Sequence, residues 1–367
     1  MCAVAVSTVA SEQRVLNVLT GFLGSGKTTL LRRLLGSPEL ANCAVLVNEL
    51  GEIPLDHELL QQIDRETVVL RSGCICCGVR TDLAEAMSDL ITRSDRGEIP
   101  RFDRVVLETT GLADPVPVIN TVVSDPVLRH HYRMGAVVTT VDAVLGDAQL
   151  QNRAEARRQA AVADRLVITK ADMAEQGAVD SLRNRLLELN PMASIVVSHN
   201  DAGEDAVGLT QDIALGGHMH EAGQWFFGSS AQRAGDSLFA SVRQGDAPKV
   251  NTQATLNRYG LAPVHGQLRS VCLVIHEPLD WAAFGVWLSM FLHRYGDATL
   301  RLKGILNLQG VEQPTVLDGV QHLLHPPVHL PEWPKGERCS RLVLIGELPP
   351  AEVLQASLLS FLNRVSQ

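Results

Sequence analysis

Residues Gly21-Phe22-Leu23-Gly24-Ser25-Gly26-Lys27-Thr28 carry the G-x-x-x-x-G-K-[ST] spacing of a phosphate-binding loop. Gly21, Gly24 and Gly26 let the backbone curl until successive N–H groups converge on one phosphate. Lys27 can reach the β- and γ-phosphates, and the Thr28 hydroxyl can ligate Mg²⁺. The apolar run from Val15 to Leu19 reads as a buried strand. Leu30, Leu31, Leu34 and Leu35 follow at helical spacing, so the loop ends on a helix N-terminus, where an anion is stabilised.

Further on stands Cys74-Ile75-Cys76-Cys77. Three thiolates so close repel one another unless a cation holds them, as Zn²⁺ does at about 2.3 Å per sulfur. Three soft ligands, with the fourth place left to a carboxylate, a histidine or water, describe a site that exchanges its metal. Glu49 is a candidate fourth ligand. A redox pair or a packing cluster is the alternative, and the adjacent Cys76 and Cys77 are awkwardly placed for a bridge. Weaker metal hints are His218 and His220 in a polar stretch, and His322, His325 and His329 around a Pro-Pro turn.

Two apolar runs end in an acid with a glycine nearby, at Asn48-Glu49-Leu50-Gly51 and at Glu108-Thr109-Thr110-Gly111. Acids at such strand ends hold Mg²⁺ or its waters in phosphate-loop enzymes, and a glycine N–H can meet the γ-phosphate. A third run ends in Thr169-Lys170-Ala171-Asp172. There an Asp carboxylate can accept two hydrogen bonds from guanine, while adenine presents the wrong pattern. The Lys170 stem would lie across the ring.

These loops need a scaffold. Strands are expected at 15–20, 43–48, 66–71, 103–108, 134–141, 164–169 and 193–197, with amphipathic helical stretches between several of them. That alternation predicts an α/β domain, a mostly parallel sheet with helices on both faces, over residues 1–202. Ligands then gather at the carboxyl ends of the strands. Residues 203–265 lack periodicity and read as a linker. Residues 266–367 read as a smaller α+β domain with its sheet covered on one face: strands at Leu268 to His276, Thr299 to Leu308, Val316 to Leu324 and Arg341 to Ile345, and helices at Trp281 to Tyr295 and Ala351 to Leu362.

Composition narrows the functions open to such a chain. A net charge of −9 without a long basic run argues against nucleic acid as the main partner. No apolar run is long enough to span a membrane, and the first residues lack the basic start of a signal peptide, which predicts a cytoplasmic protein. Seven cysteines, three of them crowded together, suit metal or redox chemistry in that compartment better than a disulfide framework.

The ordered set GFLGSGKTT, VNELG, SGCICCGVRTDL, LETTGLADP and TKAD resembles the CobW-type GTPases, relatives of UreG and HypB. HGQLRS, RLKGIL and WPKGERCSRLVLIGEL are similar to that family's carboxyl-terminal domain. The resemblance implies a GTP-hydrolysing metallochaperone that loads a client metalloprotein, often with zinc, with Co²⁺ or another transition metal also compatible. It implies that Gly24, Ser25, Gly26, Lys27, Thr28 and Thr29 hold phosphates and that Thr28 ligates Mg²⁺. Glu49 and Glu108 would lie in switch regions, Lys170 and Asp172 at the base, and Cys74, Cys76 and Cys77 at the metal. Thr169 stands where many GTPases have the Asn that braces the loop. A homo-oligomer that forms with nucleotide or metal is compatible with this reading. The rival readings are a small-molecule kinase, and a metal store or sensor in which nucleotide is structural.

Overall fold

The computed structural model describes residues 13–40, 42–48, 68–72, 75–198, 268–333 and 338–365; for 39, 48, 68–72, 75–82 and 363–365 the backbone alone is described. Glu49, Cys74, His218, His220 and the whole 203–265 segment therefore lie outside the described residues.

Seven strands form one parallel sheet: β1 (Arg14–Gly21), β2 (Cys43–Asn48), β3 (Val68–Ser72), β4 (Arg104–Glu108), β5 (Tyr132–Asp142), β6 (Arg165–Thr169) and β7 (Ser194–Val197). Their order across the sheet is β3-β2-β4-β1-β5-β6-β7, and every neighbouring pair is parallel. The crossovers are made by α1 (Lys27–Leu35), α2 (Ile75–Asp95), α3 (Pro115–Ser124), the single turn α4 (Leu128–His131), α5 (Gly146–Asn152), α6 (Ala154–Val162) and α7 (Gln176–Leu189). Side-chain alternation divides the strands between two apolar layers. Leu16, Val18, Ala44, Leu46, Val105 and Leu107 face Leu83, Met87 and Leu90 of α2 and Val118 and Ile119 of α3. Leu19, Val45 and Val106 face Leu30, Leu31 and Leu34 of α1. Both faces are covered, so the strands read as unbroken apolar runs rather than alternating ones.

The second unit is an antiparallel sheet of β8 (Arg269–Ile275), β9 (Thr299–Leu306), β10 (Thr315–Val320), β11 (Leu323–Leu324), β12 (Val328–His329) and β13 (Ser340–Gly346). Two helices, α8 (Trp281–Tyr295) and α9 (Ala351–Val365), pack against each other. Their Phe284, Trp287, Phe291, Leu354 and Leu358 cover Leu273, Leu302, Leu342 and Leu344.

Two expectations for this unit need correction. The stretch from Val316 to Leu324 is a hairpin and not one strand: Val320 pairs with Leu323 and Gly319 with Leu324. Gln321 takes a φ of 53° to make the turn, a left-handed conformation that apolar periodicity does not reveal. The sheet is also buried on both faces. Leu300, Ile305, Val316, Val320, Val343 and Ile345 join the apolar layer that contains Leu128, Tyr132, Ala161 and Val162 of the first unit. Every residue of β9 and of β10 is buried as a result, and α6 lies against β9 and β13.

Candidate functional site

The parallel register brings the loops predicted from the sequence to one edge. Leu19 pairs with Glu108, Gly21 with Thr140 and Asp142 with Thr169, so the carboxyl ends of β4, β1, β5 and β6 sit side by side. The chain leaves β1 for β2 on one side of the sheet and reaches β5 on the other. A crevice at such a reversal is where open α/β sheets bind ligands.

Between β1 and α1 the loop is held by its glycines. Gly24 and Gly26 have φ of 73° and 87°, which side chains rarely tolerate. A Cβ on Gly21 would collide with Thr140 and with the Ser25 hydroxyl. The Ser25 hydroxyl is 2.6 Å from that of Thr140, which pins the loop to β5. Gly26 caps α1 without a side-chain acceptor, and no acid stands in the first turn, where Lys27, Thr28 and Thr29 lie. The first-turn amides of a helix lack intrahelical partners and attract an anion.

Lys27 arches back over the loop and donates to the carbonyls of Gly21 at 2.9 Å and Phe22 at 3.2 Å. Burial pushes its pKa below the usual lysine value, and the Glu108 carboxylate opposes the shift. The Thr28 hydroxyl donates to Glu108 Oε1 at 2.8 Å. A hydroxyl and a buried carboxylate in contact are hard oxygen donors of the kind that bind Mg²⁺, so these two residues fit the ion implied by the sequence.

Gly111 lies directly against the phosphate loop. A Cβ there would come within 2.7 Å of the Leu23 nitrogen, so the position admits no side chain. Thr109 joins the same arrangement by donating its hydroxyl to Thr20 at 2.8 Å. The third loop starts with Thr169, whose hydroxyl donates to the Ser25 carbonyl at 2.8 Å. Threonine thus makes the brace to the phosphate loop that Asn makes in many GTPases. Lys170 follows in the left-handed conformation, with a φ of 56°, and Asp172 lies exposed in the short 3₁₀ turn Ala171–Met173.

Three residues of this edge were missed by sequence reading. Asp142 is buried at the end of β5 and holds the Lys170 ammonium at 2.7 Å. Its other oxygen accepts from the N–H groups of Val144 and Leu145. It is a strand-end acid like Glu108, and that pattern could have found it. Thr140 and Gln159 left no such signal, being a threonine within a strand and a glutamine within a helix.

The cysteine cluster is placed only in part. Cys76 and Cys77 stand in the first turn of α2, which starts at Ile75; β3, which precedes it in the chain, is paired with β2, so Asn48 lies beside Ser72. The three C-terminal histidines are not drawn together. His329 Nδ1 contacts the Thr315 hydroxyl at 3.0 Å, and the His325 amide donates to the Asp318 carbonyl. His322 faces Gly296 instead. Among the described residues no group of three His, Cys, Asp or Glu side chains could hold a metal, so the metal role suggested for these histidines is not supported. No described helix is long and apolar enough to cross a membrane.

Residues 15–197 match the family described as CobW/HypB/UreG, nucleotide-binding domain, and residues 268–362 match the cobalamin synthesis protein cobW C-terminal domain. The protein called zinc chaperone YjiA from Escherichia coli is 32% identical over 342 residues, 93% of this chain and 96% of that one. The zinc-regulated GTPase metalloprotein activator 1 of Schizosaccharomyces pombe is 31% identical over 227 residues, 60% of this chain and 53% of its own length. The crystal structure of the Zn(II)-bound YjiA GTPase from E. coli superposes with a TM-score of 0.67 at 28% identity, covering 95% of this chain and 99% of that one. These matches, with a relative 32% identical over nearly the whole chain, make the chain a member of the CobW/HypB/UreG family of metallochaperone GTPases.

Proposed function

We propose that this chain is a cytoplasmic, GTP-hydrolysing metallochaperone that binds a transition metal, zinc foremost, and releases it to a client metalloprotein according to its nucleotide state. The observation that carries this reading is the convergence of Lys27, the Thr28–Glu108 pair, Gly111 and the Thr169–Lys170 loop at one sheet edge. In the same sheet, β3 precedes the helix whose first turn carries Cys76 and Cys77. A relative named for zinc and GTPase activity, aligned over nearly the whole chain, supports zinc as the cargo.

In this reading Gly24 to Thr29 hold the phosphates and Lys27 neutralises charge that develops between the β- and γ-groups. Thr28 and Glu108 hold Mg²⁺, which when bound draws off phosphate charge. Gly111 offers its N–H to the γ-phosphate. Asp172 reads guanine while Lys170, fixed by Asp142, lies over the ring. Cys74, Cys76 and Cys77 hold the metal, with Glu49 as a fourth ligand; Glu49 also belongs to a switch region.

The test is zinc competition against a chelator in the GDP state and in the state with a non-hydrolysable GTP analogue. The expected difference is about 5–150-fold, and linkage requires zinc to change nucleotide affinity by the same factor. Cys76→Ser with Cys77→Ser should abolish the difference and leave nucleotide binding in place. Equal zinc affinities in the two wild-type states would sink the coupling and leave two unconnected sites on one chain.

A further inference from the structure

Behind the turn at Gly111 stands a side chain that the reaction as described does not use. Gln159 lies in α6 and is fully buried. Its Nε2 donates to two carbonyls of that turn, Gly111 at 3.2 Å and Ala113 at 2.9 Å. The turn is closed on itself by the Ala113 N–H donating to the Thr110 carbonyl at 3.1 Å. One residue before Gln159, Arg158 reaches Asp114 at 3.0 Å, and Asp114 caps α3 by accepting from the Val116 N–H. In front of the turn, Gly111 presses on Leu23 of the phosphate loop at a distance no side chain would fit. The segment is thus gripped between the phosphate loop and α6.

Gln159 Oε1 is the unusual atom. It is buried, and among the described residues no donor reaches it. Turning the amide over gives no relief, because both of its partners are carbonyls that need the N–H₂ group. Buried polar atoms are paired with few exceptions, and an exception marks stored strain or a function.

We propose that Gln159, seconded by Arg158, is a positioning residue for phosphate chemistry: it holds the Gly111–Asp114 turn so that the Gly111 N–H is aimed at the γ-phosphate. The inference rests on the GTPase reading above and deepens it. Gln159 acts through Gly111 and has no need to touch nucleotide. GDP, which lacks the γ-phosphate, should therefore be indifferent to it. The rigidity of the hold comes from behind, because α6 is itself backed by β9 and β13 of the second unit.

The experiment uses the full chain and compares wild type with Gln159→Met, which keeps length and loses both N–H donors, and with Arg158→Ala, a half-exposed side chain the fold can spare. GDP affinity, affinity for a non-hydrolysable GTP analogue, kcat and KM for GTP are measured for each. For Gln159→Met the expected result is GDP affinity within about twofold of wild type, and analogue affinity and kcat both lower by about 10- to 100-fold, the range set by losing a group that orients a reacting one. Arg158→Ala should move the analogue-to-GDP ratio in the same direction by about two- to fivefold, as befits an exposed ion pair. A purely structural role would lower both affinities together, and that result overturns the proposal, as does an unchanged analogue-to-GDP ratio. If Gln159→Met does not fold, a wild-type ratio in Arg158→Ala overturns it alone. A wild type that neither binds nor hydrolyses GTP overturns the GTPase reading along with it, which distinguishes the two failures.

Discussion

Two lysines of this chain lose their water and are answered in opposite ways. Lys27 and Lys303 both have pKa values pushed down by burial. Lys303 lies where the two sheets meet and donates to Asp164 at 2.7 Å. Arg301 reaches the same carboxylate oxygen at 2.6 Å and Asp318 at 3.0 Å. Two cations and two anions cancel in place. Lys27 instead hydrogen-bonds two neutral carbonyls of its own loop, and the carboxylate that opposes its shift, Glu108, is hydrogen-bonded to Thr28. A buried cation balanced within hydrogen-bond distance fixes structure. One left with neutral partners is arranged to meet an anion from outside.

The difference can be broken most forcefully at Asp164. This carboxylate also accepts the Val137 N–H at 2.9 Å, so its loss strands Lys303 and a backbone donor and leaves Arg301 with Asp318 alone. Asp164→Ala should lower the unfolding free energy by about 3–5 kcal/mol, the cost of leaving a buried charge uncompensated. A urea titration of the full chain reads it. A loss below about 1 kcal/mol would mean water reaches the cluster, and the lock would be no lock.

Lys27→Ala is the complementary cut. GTP turnover should fall about 10²–10³-fold, as when one aimed electrostatic contact is removed from a reacting group. Unfolding in the absence of nucleotide should change by no more than about 1 kcal/mol, since ordinary hydrogen bonds to carbonyls are worth little net. If turnover survives, the assignment of the phosphate loop fails. If instead stability drops as far as in Asp164→Ala, the two lysines do the same job and the contrast collapses.

The sequence carried one side of this comparison far better than the other. Phosphate binding needs glycines, a lysine and a threonine at fixed spacing in one short segment, and all were legible from Gly21 to Thr28. Each parallel strand announced itself because burial on both faces yields an unbroken apolar run. The interface cluster was invisible, since Asp164 is far in sequence from Arg301 and Lys303, and all three look like ordinary surface charges until the sheets meet. Burial of the second face of the C-terminal sheet was missed for the same reason. Gln159 could not have been found either, because a glutamine inside a helix has the composition of a solvated face. The hairpin at Gln321 escaped because its left-handed turn uses no glycine at that position.

The smallest effect belongs to His325, which borders the locked cluster. Burial lowers its pKa below 6.5; Asp318 and Asp164 pull it back up, while Arg301 and Lys303 push it down. The histidine is only half-buried and charges of both signs surround it, so its effect is smaller than those above. The sign is nonetheless fixed. Above the ordinary histidine value the folded and unfolded chains are both neutral at this position, and the group costs nothing. As pH falls through about 6.5 the unfolded chain takes up a proton that the folded chain still refuses, so stability declines until the folded pKa is passed. Urea midpoints measured between about pH 7 and 5.5 should therefore fall on the acid side, and His325→Gln should flatten part of that slope. An identical slope in the variant would remove His325 from the cluster's titration. GDP affinity of the folded protein should be the same in wild type and His325→Gln throughout this range. The histidine belongs to the balanced region, and a nucleotide that answers to it would erase the line drawn between the two lysines.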